Sequence, residues 1–403
     1  MKVLMINSVS GYGSTGSICE DIANVLEQNG HECYIAYGQL STSYHKSFKI
    51  GTRIENHLHN VGSRLIGKQG YFSKKGTKHL ISYIENIKPD IIHLHNLHGN
   101  YLNLKLLFEF LIKVQIPVVY TLHDCWAFTG KCAHFTDVKC YKWKTQCYSC
   151  PQLKKYPPSL FFDYSKEMYV DKKNWFTSIQ KMNIIPVSNW LASEVEQSFL
   201  KKYPITPIYN WVNHSIFKET IDREVIKRYN IDENKFTIVL VGAIWDVKDV
   251  KWQDALKLAT MIDKDMQILM IGNVSSPKLL PKNIKHIPYV NGKEELAKIY
   301  SISDVYIHLS TEDTFGKVIA EALSCGTPAI VYNSTACPEI IDNNSGFVVE
   351  KRNVKEVFMA VSKIKEKGRS SFSKHCRERV IKEFDLKTNI DLTIQVYKKL
   401  LKT

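Results

Sequence analysis

Ser310-Thr-Glu-Asp-Thr-Phe-Gly-Lys-Val-Ile-Ala-Glu-Ala-Leu-Ser-Cys-Gly-Thr-Pro-Ala-Ile-Val331 places two carboxylates, Asp313 and Glu321, about two helical turns apart around a Phe-Gly turn. An apolar strand, Val305 to Leu309, leads into it. The amides around Thr314, Phe315, Gly316 and Lys317 are then expected to open a helix, and such an end holds phosphate through its unsatisfied N–H groups and the positive end of the macrodipole. Glu321, further along that helix, is placed to accept hydrogen bonds from a ribose. The geometry suits a sugar nucleotide.

Outward from this stretch, short apolar strands alternate with helix-periodic segments. Upstream the strands read Val3 to Val9, Glu32 to Tyr37, Ile91 to His95, Val118 to Leu122 and Ile184 to Val187. After the polar stretch Lys218 to Lys235 the rhythm restarts with Phe236 to Gly242 and continues at Gln267 to Ile271, Ile284 to Ile287, Val305 to Leu309, Ala329 to Val331 and Gly346 to Val349. This predicts an α/β chain of two Rossmann-like, doubly wound domains. Their expected bounds are 1–217, with a cysteine-rich loop at 131–151, and 218–385, followed by a final helix at 386–403. Open sheets of this kind bind ligands at the carboxyl ends of their strands, so function is expected in a central cleft.

The 403 residues carry 54 Lys+Arg against 40 Asp+Glu, a formal charge of +14, which calls for an anionic partner. Nucleic acid is disfavoured, because the basic residues are spread along the chain without a helix-turn-helix or RNA-binding signature. A phosphate-bearing substrate or an acidic lipid surface remains. Between Arg64 and Lys78 cations interleave with Leu65, Ile66, Tyr71 and Phe72, as in an interfacial membrane segment or a plain solvated helix end and loop. No apolar run reaches spanning length and the first residues read as a strand, so the expectation is a cytoplasmic protein, peripheral at most.

Gly11-Tyr-Gly-Ser-Thr-Gly16 has the form of a dinucleotide fingerprint, but the second strand ends Ile35-Ala-Tyr-Gly-Gln39 without the acid that would confirm it. A glycine loop that admits a substrate, or a structural turn, stays open beside the cofactor reading. His93 and His95 share one face of a strand, with His98 beyond; cleft-edge polar residues are favoured over a metal cluster. His123, just past a strand and followed by Asp124 and Trp126, is a sharper candidate, with a satisfied structural histidine as its alternative. Cys132, Cys140, Cys147 and Cys150 have the spacing of a structural zinc set, the alternative being reduced thiols in a loop.

The Asp313 to Glu321 pattern resembles the donor-binding signature of family-4 retaining glycosyltransferases, and the glycine loop, His123-Asp124, the connector Asn210-Trp-Val-Asn213 and the two-domain rhythm occur in the same order. The resemblance implies the GT-B fold, a final helix returning to the first domain, and metal-independent transfer from a nucleotide-diphosphate sugar. It implies Asp313 on sugar hydroxyls or developing positive charge, Glu321 on the ribose, His123 near the transferred sugar, and the Gly13, Ser14, Thr15 and Gly16 loop facing donor phosphate and acceptor. Members place a cation on the diphosphate from the turn after the second domain's first strand. Here no Arg follows Gly242, so that role passes to Lys248, with Lys251 as a substitute. Glu339 is a weaker candidate near the donor. The run from His123 to Cys132 looks like enzymes of bacterial capsule, O-antigen or exopolysaccharide assembly, whose acceptors are usually lipid-linked saccharides. A sugar-nucleotide epimerase of the same architecture is the alternative within enzymes, and a zinc-containing nucleic-acid-binding protein the alternative from another class.

Overall fold

The computed structural model describes residues 1–402 apart from 43, 289 and 291. The chain separates into two compact units, residues 1–208 with 387–403, and residues 209–386. The division falls nine residues before the expected boundary, at Ile208/Tyr209, because the connector packs with the second unit: Val212 N–H donates to Phe384 O, and Tyr209 stacks edge-on against Phe384.

The first unit contains β1 (Lys2–Asn7), α1 (Gly13–Gln28), β2 (Glu32–Tyr37), β3 (Ser47–Lys49), α2 (Arg53–Ile66), α3 (Lys74–Ile87), β4 (Ile91–Leu94), α4 (Leu104–Val114), β5 (Val118–Leu122), α5 (Ser165–Thr177), β6 (Met182–Pro186) and α6 (Asn189–Glu196). Its six strands are parallel in the order β3-β2-β1-β4-β5-β6. Every residue of β4, β5 and β6 is buried, as helices on both faces of a parallel sheet require. The edge strand β3 was not expected from the sequence, since three residues are too few to show alternation.

The glycine loop departs from expectation in a way that matters. β1 stops at Asn7 and α1 starts at Gly13, so the second half of the glycine loop is the first helical turn. Gly11, at φ +63, donates its N–H to Gly16 O, and a Cβ on Gly16 would stand 3.0 Å from Gly11 N. Two glycines therefore close the loop against the helix start.

The second unit repeats the winding with α7 (Arg223–Arg228), β7 (Phe236–Trp245), α8 (Val250–Ala259), β8 (Met266–Val274), β9 (Ile284–Ile287), α9 (Lys293–Ile302), β10 (Val305–His308), α10 (Lys317–Ser324), β11 (Ala329–Tyr332), α11 (Cys337–Ile340), β12 (Gly346–Val349), α12 (Val354–Lys367) and α13 (Ser370–Glu383). Its parallel order, β12-β11-β10-β7-β8-β9, is the first sheet's pattern again. β7 runs on to Trp245, with a register shift against β8 between Val241 and Ile244. Gly242 thus lies inside a strand and not in the turn beyond it.

In each sheet the strand order reverses between the first and fourth strands of its unit, β1/β4 and β7/β10, and open α/β sheets bind ligands at the carboxyl ends flanking such a reversal. The segments there are the glycine loop and His95 to His98 in the first unit, and residues 246–249 and 309–316 in the second. The last helix, α14 (Leu386–Lys402), groups with the first unit from Lys387 onward. Its buried Tyr397 hydroxyl lies 2.6 Å from His93 Nδ1, whose ring also meets Thr121 Oγ1 at 2.7 Å. Tyr397→Phe leaves a buried imidazole nitrogen without its partner, so denaturant unfolding should show a loss of about 1–3 kcal/mol.

Candidate active site

In the second unit the site is built on α10. Gly316, its N-cap, sits in the left-handed region at φ +83, and a Cβ there would meet Ile319 Cδ1 at 2.6 Å. Gly316 offers no side-chain cap, and within the first turn the Ile319 N–H donates to Gly316 O at 2.9 Å. The opposite end is served by cations: Arg369 Nη2 donates to Cys325 O at 2.8 Å and Arg377 Nη1 to Ser324 O at 3.1 Å. Phe315 points inward, buried, edge-on to Phe384 and tilted against Tyr209, so its ring anchors the turn and only its backbone faces outward chemistry. Thr314 is buried as well.

Asp313 is fixed on three sides. Its Oδ2 lies 2.6 Å from His308 Nε2, and His308 Nδ1 meets the Tyr306 hydroxyl at 2.7 Å. Its N–H donates to Thr335 Oγ1 at 3.0 Å and its carbonyl accepts from Ala336 N–H at 3.2 Å. Ser334 Oγ adds a bond to Thr311 O at 2.6 Å, so the loops after β10 and β11 are stitched together. Sequence reasoning missed His308 and Thr335. The signal for His308 was its strand position two residues after Tyr306, on the same face; Thr335, held at φ +49, gave none.

Glu321 is the outlier. It is buried, yet its carboxylate has no hydrogen bond among the described residues. Burial lifts its pKa to about 7 from an ordinary 4.5, against the opposing pull of Lys317 and Lys293. A buried acid without a protein partner is costly unless a ligand supplies donors.

The remaining donor-side candidates separate. Lys248 is exposed in the turn after β7, its backbone N–H bonded to Asp246 Oδ1 at 2.9 Å and its ammonium free among the described residues. Lys251 instead lies on α8 with its ammonium 5.2 Å from the Trp245 ring centroid. Glu339 accepts from the Tyr209 hydroxyl at 2.9 Å, a bond that ties the connector to α11.

In the first unit the three histidines on and after β4 diverge, and among the described residues they form no metal cluster. His93 faces Tyr397 and Thr121. His95 Nδ1 lies 3.0 Å from His123 Nε2 with the rings stacked. His98 bridges Asp124 Oδ2 at 2.7 Å and the Tyr156 hydroxyl at 2.9 Å. Burial, then His123, brings His93 down to about 3; burial, then His93 and His123, holds His95 well below its ordinary value. Both rings are neutral. His95 Nε2 is buried without a partner, which costs least as an unprotonated nitrogen, so the shared hydrogen belongs to His95 Nδ1 and His123 Nε2 accepts it. Burial pushes the Asp124 carboxyl up, but the charge and hydrogen bond of His98 outweigh it and bring it to about 2. Gly13 and Ser14 are exposed and Thr15 half-buried, whereas Gly16 is buried under the loop.

Two family patterns cover most of the chain: residues 15–216 match Glycosyltransferase Family 4 and residues 222–383 match Glycosyl transferases group 1. The chain belongs to the family-4 glycosyltransferases. It is 27% identical over 274 residues to WcaC of Escherichia coli K12, described as a colanic acid biosynthesis glycosyl transferase, and 24% identical over 214 residues to the N-acetyl-alpha-D-glucosaminyl L-malate synthase of Bacillus anthracis. These stretches take in 66% and 50% of this chain, and 65% and 55% of the two relatives, so the match spans less than two thirds of either. Among solved structures, a glycosyltransferase from Rickettsia africae superposes with a TM-score of 0.67 at 17% identity, covering 100% of this chain and 99% of that one, which shows the GT-B fold.

The pKa of Glu321 gives a signed prediction. The folded chain holds this proton more tightly than the unfolded chain, so the contribution is fully present below pH 4.5 and is lost as pH rises through about 7. Glu321→Gln, which cannot ionise, should therefore be more stable than the parent at pH 8 by on the order of 2 kcal/mol and gain little at pH 5. Thermal melts across pH check this; a variant less stable at pH 8 contradicts it.

Proposed function

We propose that the protein transfers a hexosyl or N-acetylhexosaminyl group from a nucleotide-diphosphate sugar, with retention and without a catalytic metal, to a lipid-linked saccharide in bacterial surface polysaccharide assembly. The observation that carries this reading is Glu321: a buried carboxylate with no hydrogen bond among the described residues, little more than one turn beyond the helix start at Gly316. A ribose supplies donors to it, and a diphosphate takes the backbone amides of Phe315, Gly316 and Lys317 at the helix start. Lys248, uncommitted in its turn, adds a mobile positive charge for the leaving group. Preorganised amides and an ammonium stabilise the departing diphosphate where charge grows. Asp313 holds sugar hydroxyls or the developing positive charge, and His308 is its positioning residue. His123 is the first unit's candidate catalytic group, oriented by His95. No carboxylate is nominated as a covalent nucleophile; same-face attack, with the donor phosphate receiving the acceptor's proton, fits the residues best.

Support for a lipid-linked acceptor comes from α2. Ile54, Leu58, Val61 and Leu65 form a stripe at helical spacing that is exposed, Ile54 to 73% and Leu58 to 64%, and Phe161 follows nearby at 68%. Leu160 N–H is bonded to Arg64 O, which joins this loop to the helix. Arg53 and Arg64 flank the stripe, the composition of an interfacial helix on anionic lipid. The stripe lies upstream of the segment expected from sequence. Within 64–78, Tyr71 is tied to Asp171, Phe72 packs on His59, and Lys68 pairs with Glu167. Beside the stripe a cavity of about 630 Å³, lined by Arg53, Arg64, Asn60, Gln39 and Tyr156 among others, offers cationic and amide groups to a phosphorylated saccharide. Among the described residues no helix is long and apolar enough to cross a membrane.

Glu321→Ala should lower kcat/KM by on the order of 10²-fold or more while leaving the fold intact. Unchanged transfer would remove Glu321 from the donor site, and interconversion of the sugar nucleotide without acceptor would favour an epimerase. His308→Gln should lower kcat more than it raises donor KM, since it disorders Asp313 and leaves the ribose contact in place. Leu58→Glu should reduce sedimentation with anionic vesicles and spare turnover of a soluble acceptor analogue. Vesicle binding unaffected by that change would count against the membrane reading.

A further inference from the structure

The loop of residues 131–151 has little regular structure, a single 3-10 turn at Lys142–Lys144, yet it is densely organised. Six of the ten cysteines are fully buried as small apolar side chains; Cys132, Cys140, Cys147 and Cys150 are the four that are not, and all ten are free thiols. These four converge on one small cavity of about 20 Å³, floored by the buried Trp143, which is room for a single ion or water. We propose that Cys132, Cys140, Cys147 and Cys150 bind one zinc ion as a closed tetrathiolate site that fixes the loop running on from His123 and Asp124. The proposal does not rest on the transfer reaction.

Several features of the loop serve thiolate ligands. Gly130 N–H already donates to Cys147 Sγ at 3.1 Å. Lys139 and Ser149, each immediately before a candidate ligand, are held in the left-handed region at φ +49 and +45. Such conformations persist where surrounding structure demands them. A zinc ion with four thiolates carries two net negative charges, and cations ring this one. Lys142 Nζ spans the carbonyls of Tyr148 and Ser149, Lys131 is buried with Nζ on the Lys155 carbonyl, and Lys172 is buried beneath with Nζ 2.6 Å from Trp126 O. A buried lysine keeps its charge only with anions nearby, which thiolates on zinc would supply.

The site is also wired to the catalytic side. Thr129 Oγ1 donates to Cys132 O, Cys125 N–H to Ala133 O, and Trp126, held by Lys172, returns its N–H to Asp124 Oδ1. Four sulfur ligands leave no open coordination position, so the role is structural. The competing group is His308, Asp313 and Cys337, the one set among the described residues whose ligand atoms all lie within 4.8 Å of one another. The loop sulfurs stand farther apart than that, so binding would draw them inward around the cavity.

The test is metal analysis of the full chain, purified reduced and without chelator. The expected result is about one zinc per chain, falling about fivefold or more in Cys147→Ser and Cys150→Ser and unchanged in Cys337→Ser. Where those serine variants fold poorly, cobalt(II) added to metal-stripped wild-type chain decides: thiolate-to-cobalt charge-transfer bands with the strong visible bands of a tetrahedral sulfur site support the proposal. Wild-type chain that takes up neither zinc nor cobalt, or zinc that survives in Cys147→Ser but is lost in Cys337→Ser, overturns it.

Discussion

Glu321 is buried on α10 with no hydrogen bond to its carboxylate among the described residues, and the proposed chemistry of the second unit's site depends on that placement. It sits on an eight-residue helix whose start is left uncapped and whose end is capped by two arginines. In the proposed function one class of ligand, a nucleotide-diphosphate sugar, answers both the desolvated acid and the amides at the helix start. In that proposal the polarity of the helix sets the order, with diphosphate at the amino end and ribose at Glu321, little more than one turn on.

The neighbouring elements hold that helix start in one conformation. Gly316 supplies the left-handed residue, Phe315 locks the turn into the aromatic core with Phe384 and Tyr209, and Thr335 and Ala336 clamp the backbone of Asp313. His308 does for the Asp313 carboxylate what those groups do for its backbone, and Tyr306 orients the histidine in turn. The first unit shows the same layering, with His95 behind His123 and His98 behind Asp124. In both units the half-buried candidate is held by a histidine behind it.

Much of this was legible in the sequence because it depends on local pattern. The apolar strands, buried on both faces, announced two parallel sheets; Asp313, the Phe-Gly turn and Glu321 announced the helix start; Cys132 to Cys150 announced a clustered loop. What escaped depends on contacts between residues distant in sequence or on backbone geometry. The pairing of Thr335 with Asp313 spans two βα loops, Tyr397 reaches His93 from the far end of the chain, and the extension of β7 through Gly242 follows from a register shift against β8. The exposed stripe of α2 was readable as helical spacing, but only burial shows that its apolar side faces outward while Tyr71 and Phe72 turn in.

The central claim, that Glu321 is kept unpaired for the ribose of a nucleotide, is tested most directly by calorimetric titration with nucleoside diphosphates at pH 7 in two buffers of different ionisation enthalpy. The account predicts that one of UDP, GDP or ADP binds with a net proton exchange that disappears in Glu321→Gln, because donors from the ribose lower the pKa of a carboxyl that titrates near 7 in the free chain. Binding with the same proton exchange in both chains, or no binding of any of the three, would contradict it.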